Sequence, residues 1–166
     1  MVFFAHMRRP FTSTFLLAML GLASACATAP VSTQPTASRA PTELLGHFAD
    51  DYGNFFRVAD SLFEQLPRGR FRIVEWNLGE QYFIARNAET NPSDAGLWTR
   101  IDWMRFTDMA PFSWGFCMTA YRAPTEAAAR ATPSANRATP RTGCNGHPFS
   151  RMRPATDSVR PPGAGR

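Results

Sequence analysis

A chain of 166 residues with 44% hydrophobic content has room for one domain with its own core, and 13% aromatics at this size favour a sheet over a helical bundle. The formal net charge of +5 rests on 18 arginines and no lysine, and it is unevenly spread. Residues 43–121 hold seven arginines against eleven acids, a net of −4, whereas residues 122–166 hold eight against two, a net of +6. A basic chain invites a nucleic-acid partner. An acidic body with its positive charge at one end, behind an export signal, argues against one.

Residues 1–25 read as a targeting segment outside the fold. Arg8 and Arg9 form its positive region, and Phe11 to Leu22 is an apolar stretch short for a bilayer span. It ends in Leu22-Ala23-Ser24-Ala25-Cys26, small residues directly before a cysteine with no charge in the preceding dozen positions. These first 26 residues resemble the lipobox signal of bacterial lipoproteins, with Ala23 where leucine is commoner. The resemblance implies that Cys26 is diacylated at sulfur, freed by signal peptidase II and then N-acylated. Palmitate-type chains would hold it to a membrane. Ala27 is similar to the residue after the cysteine in outer-membrane-sorted lipoproteins. That implies the periplasmic face of the outer membrane in the cell envelope. The other reading is an ordinary secretory peptide cut after Ala25. Residues 26–42, rich in Ala, Thr, Ser and Pro with Arg39 their one charge, read as a disordered tether.

The body, residues 43–152, reads as a succession of strands. Leu44 to Ala49 is followed by the turn-rich Asp50-Asp51-Tyr52-Gly53-Asn54, then by Phe55 to Ala59. Ser61 to Leu66 reads as a strand or a short helical turn, ended by Pro67-Arg68-Gly69. Phe71 to Trp76 and Gln81 to Asn87 flank a four-residue hairpin connection, Asn77 to Glu80. Phe71 and Ile73 share one face while Val74 and Trp76 share the other, so either both faces are covered or a bulge shifts the register near Ile73. After the polar stretch Asn87 to Gly96 comes the most aromatic part, Leu97 to Phe106 and Phe112 to Tyr121, joined by Thr107 to Pro111. Period two places Phe112, Trp114, Phe116, Met118 and Ala120 on one face and Ser113, Gly115, Cys117, Thr119 and Tyr121 on the other. The expectation is a mainly β domain, a small antiparallel barrel or sandwich of six to seven strands. One short helix follows at Thr125 to Ala131, capped by Thr125 and ended before Pro133. Residues 153–166 read as disordered.

With Cys26 acylated, Cys117 and Cys144 remain, and two cysteines in an exported domain pair. Two buried free thiols are the alternative. The bond closes a loop of 27 residues, worth about 3–4 kcal/mol in the chain-entropy model. It would pin Arg141 to Met152 against the outer face of the central pair, with Phe149 covering Trp98, Met104 and Phe106, and Arg151 and Arg153 near Asp102 or other acids.

Candidate chemistry is sparse. Arg100 and Asp102 sit two apart on one strand face, as a polar site or a plain ion pair; with Trp76, Trp103 and Trp114 they make the candidate ligand pocket. Asp50 and Asp51 are adjacent and point oppositely on a strand, which suits turns and caps better than a catalytic pair. His47 and His147 do not make a metal site without further ligands. Ser113 and Ser150 lack a nucleophile context, and Arg141, Arg151 and Arg153 form a basic cluster within reach of anionic lipids. No catalytic set, metal or cofactor is expected. The body resembles lipocalin-like small barrels in its Gly46-His47-Phe48 start, β meander, late helix and tail disulfide, one or two strands short; more broadly it is similar to small lipoproteins of the bacterial envelope. The sequence therefore points to a lipid-anchored envelope protein whose β domain binds or scaffolds, possible partners being another envelope component or a small apolar ligand. A carrier of such a ligand is the alternative, and a hydrolase using Asp50, Asp51 or Asp102 a weaker one.

Overall fold

The computed structural model describes residues 39–155. The signal segment, Cys26 and nearly all of the tether lie outside the described residues, as do residues 156–166. Eight strands follow a 3-10 turn at Thr42–Leu44: β1 Gly46–Asp50, β2 Phe55–Ala59, β3 Leu62–Leu66, β4 Gly69–Asn77, β5 Tyr82–Asn87, β6 Trp98–Arg105, β7 Trp114–Ala123 and, after the helix α1 Glu126–Arg130, β8 Ser150–Pro154. Each strand pairs antiparallel with the next, and β8 pairs with both β7 and β1, so the sheet closes into a barrel. Barrel replaces the open choice of barrel or sandwich, and eight strands replace six to seven. The extra one is β8, whose backbone is taken up by two neighbours although only Met152 is buried along it.

Alternation drives the strands. Along β2, Phe56 and Val58 are buried while Arg57 between them is exposed. In β4 the register shifts between Ile73 and Glu75, which turns Trp76 to the same interior as Phe71 and Ile73 and leaves Val74 outside. The bulge, not double coverage, resolves the conflict in that strand's pattern.

The interior is filled. Phe63 lies 5.9 Å or less, centroid to centroid, from Phe56, Phe71, Phe83 and Phe116. Trp76 packs on Phe83 at 4.6 Å and Trp114 meets Phe48 edge-on at 5.2 Å. All of these rings, with Trp103, belong to one buried cluster. An eight-stranded barrel is just wide enough for its own side chains. Leu44, from the turn ahead of β1, is fully buried in the same cluster and plugs that end. The Trp76 indole donates to the Asp60 carbonyl at 2.7 Å. Among the described residues only the Trp103 and Trp114 indole N–H groups are buried without a partner.

The central pair follows its period-two pattern in part. Trp114, Phe116 and Met118 serve the interior, and Cys117 faces out. Phe112 lies before β7, is only half-buried, and stacks under Arg151 at 4.6 Å. A register shift between the pairs Arg100↔Ala120 and Ile101↔Met118 also changes the far half. It puts Ala120 opposite the outward-facing Arg100 and brings Tyr121 to the mouth of the barrel, reversing both assignments. The segment between α1 and β8 lies on the outer wall: Ala135 and Phe149 pack with Cys117, Met104 and Cys144. Trp98 is covered instead by α1, through Ala129, beside Tyr82 and Ile84.

Candidate functional site

Two polar constellations stand out, one on the wall and one at the mouth. On the wall, β6 presents Arg100 and Asp102 outward, and both are buried, Arg100 to 2% exposure and Asp102 to 0%. Asp102 accepts from Arg100 Nε at 3.0 Å, from Thr119 Oγ1 at 2.6 Å and from Arg137 at 3.1 Å. Arg100 also donates to the Arg130 carbonyl and Ser134 Oγ, and its guanidinium stacks 3.8 Å over Tyr82. Arg137 donates to the backbone carbonyls of Glu80, Gln81 and Trp103. The bonds from Arg100 to the Arg130 carbonyl and Ser134, and those from Arg137, fasten α1 and the following segment to the barrel. Burial pushes the Tyr82 phenol up, against its bond from Asn77. Glu75, the main partner of Arg130, holds that guanidinium more firmly protonated than usual.

Removing the central acid should be costly. Asp102→Ala leaves Arg100 buried with its charge uncompensated, which costs about 3–5 kcal/mol. Urea denaturation measures this, and a loss under about 1 kcal/mol would place the cluster in water instead.

The candidate pocket residues do not converge. Trp76, Trp103 and Trp114 lie inside the barrel, while Arg100 and Asp102 lie outside the wall. Asp50 accepts from the Tyr52 and Asn54 backbone N–H groups and from Asn54 Nδ2, so both oxygens are engaged in the β1–β2 turn. Asp51 pairs with Arg151 at 2.8 Å, and Asp102 takes Arg137; Arg151 and Arg153 do not reach Asp102. Arg141 and Arg153 are exposed. Cys117 and Cys144 are disulfide-bonded. Ser113 is exposed, His47 lies on β1, and no group of three or more His, Cys, Asp or Glu among the described residues is placed to hold a metal.

The second constellation has its origin in the shortness of β8. β8 pairs with β7 only from Trp114 to Phe116, whereas β7 continues to Ala123. Beside that unpaired half opens a cleft of about 620 Å³ with Phe56, Phe116 and Met118 as its apolar part. Its rim holds Tyr52, Gln65, Tyr121, Asn145, His147 and Ser150. An adjoining cleft of about 390 Å³ runs toward Phe71 and the Asn91–Asp94 loop, and shares Gln65, Met118 and Tyr121 with the first. Asn87 and Thr99 bond each other at 2.6 Å beneath this second opening.

The rim loop is built from local chemistry. Cys144 and His147 bridge across Asn145 and Gly146, whose φ angles are +50° and +87°. Two successive positive values suit an Asn-Gly pair. The bond from Cys144 to Cys117 then holds this turn against β7. The Asn-Gly dipeptide was a readable turn signal; Gln65, Met118 and Tyr52 carried no signal that would join them.

Fold and site together define a closed antiparallel eight-stranded barrel with a packed interior, a buried polar network on its wall and an open cleft at its mouth. Comparison with protein-family models, with curated proteins and with solved structures gives no match.

Proposed function

We propose that this chain is a lipid-anchored protein of the bacterial cell envelope whose barrel binds or scaffolds and does no chemistry. The observation that carries the non-catalytic part is the state of the carboxylates. Both oxygens of Asp50 and of Asp102 accept bonds from the protein itself, which leaves neither poised as a general base. The disulfide fits the oxidising compartment that an export signal leads to. A carrier of a small apolar molecule is the second reading, favoured by barrel closure and the lipocalin-like order of elements. With the interior occupied by rings, such a ligand would have to sit at the mouth.

The anchor rests on the residues before Cys26 and has a direct test. Mass spectrometry of the membrane-extracted protein should show an N-terminal cysteine carrying acyl chains. An unmodified mature chain in the soluble periplasm would remove the envelope anchor from this reading.

A further inference from the structure

The mouth is open, built and unused by the wall contacts, and its chemistry is specific enough to name a ligand class. We propose that the larger cleft binds a neutral saccharide, an inference that rests on the reading of the barrel as a binding domain.

Charge comes first. Among the described residues Asp50 is the one charged side chain lining the larger cleft, and the Tyr52 and Asn54 groups engage both its oxygens. Among the described residues no arginine lines this cleft, Arg122 being engaged with the Tyr121 ring and hydroxyl, and the one acid in the lining is already bonded. The polar atoms on offer are phenols, carboxamides, a hydroxyl and an imidazole. Among the described residues the Gln65 carboxamide has no hydrogen-bond partner, although the residue is half-buried at the junction of both clefts. A carboxamide supplies two donors and an acceptor with two lone pairs, which matches sugar hydroxyls that both donate and accept.

Ring faces come second. Tyr52 and Tyr121 are among the few exposed large hydrophobics of the described residues, at 65% and 45%, and both line this cleft. Arg122 stacks on the Tyr121 ring at 4.7 Å and donates to its hydroxyl, which fixes its orientation. A pyranose has an apolar C–H face bounded by hydroxyls, the complement of an amphipathic ring at the edge of water. A volume of about 620 Å³ lies within the usual range for small ligands. A dry apolar ligand would leave the amides unsatisfied. A peptide added to the free half of β7 would draw its affinity from main-chain bonds, but the disulfide and the Cys144–His147 turn stand beside that edge at Cys117.

The test uses the mature full-length protein and backbone amide NMR. The probes are N-acetylglucosamine tetrasaccharide and cellotetraose, a tetragalacturonate as the anionic counterpart, an extended uncharged tetrapeptide, and dodecanol. A neutral saccharide should shift the signals of Tyr52, Gln65, Tyr121 and His147 selectively. Gln65→Ala and Tyr121→Ala should each weaken it at least tenfold without changing the melting temperature, while Arg72→Ala on the outer wall should leave it unaltered. Preference for the galacturonate or the peptide overturns the assignment. Shifts at the same residues from dodecanol alone overturn the saccharide but leave the mouth as a binding site. No shift at the mouth from any probe overturns both.

Discussion

A chain cut after Ala131 should lose its cooperative melt altogether. The cut removes β8, and with it the strand that joins β7 to β1. It removes Phe149 and Met152, both fully buried, each worth about 2–3 kcal/mol of transfer free energy. It removes Cys144, whose bond to Cys117 contributes about 3–4 kcal/mol in the chain-entropy model. It also strips Arg137 from Asp102 and exposes two strand edges. Domains of this size are stable by about 5–15 kcal/mol, so the losses rival the whole. Differential scanning calorimetry decides the matter; an unchanged melting temperature would mean that residues 132–155 are an appendage and the barrel closes without them.

Trp114→Ala should cost about 3–5 kcal/mol, the range for truncating a buried large ring. Trp114 meets Phe48 edge-on and lies 6.3 Å from Phe116, so its loss leaves a void between two other rings. Trp114→Phe separates ring from indole. It keeps an aromatic body and deletes a buried N–H that has no acceptor among the described residues, a group that costs about 1–3 kcal/mol when unpaired. The phenylalanine variant should therefore lose much less than the alanine variant in urea melts. Equal losses would show that the N–H has a partner, and near-zero loss in both would put Trp114 outside the core.

The alternation in β2 and β7 and the reversal at Ile73 were legible because each side chain there meets either the packed interior or the outer surface. β8 was not, because its sequence, Ser150-Arg151-Met152-Arg153-Pro154, has one apolar residue and two arginines. Its pairing is carried by the backbone, which composition does not report. The shift between Met118 and Ala120 was equally silent, since Thr119 and Ala120 fit either face. On the wall, Arg100 and Asp102 were visible as a pair, while Arg137 reaches Asp102 from 35 positions away along an irregular segment. The mouth was least legible of all. Tyr52 comes from a turn, Gln65 from β3, Tyr121 from β7 and Asn145 from a disulfide-held loop, and only closure of the barrel brings them to one cleft.

The central claim is that this barrel carries nothing inside and binds at its mouth. Bromine quenches indole fluorescence only near contact, so a brominated dodecanol reports whether an apolar chain reaches Trp76, Trp103 and Trp114 among the rings of the interior. Titrated into the mature protein, it should leave their emission unquenched up to several equivalents. Saturable, stoichiometric quenching of most of the tryptophan emission would contradict the filled interior and make the protein a carrier of the lipocalin kind.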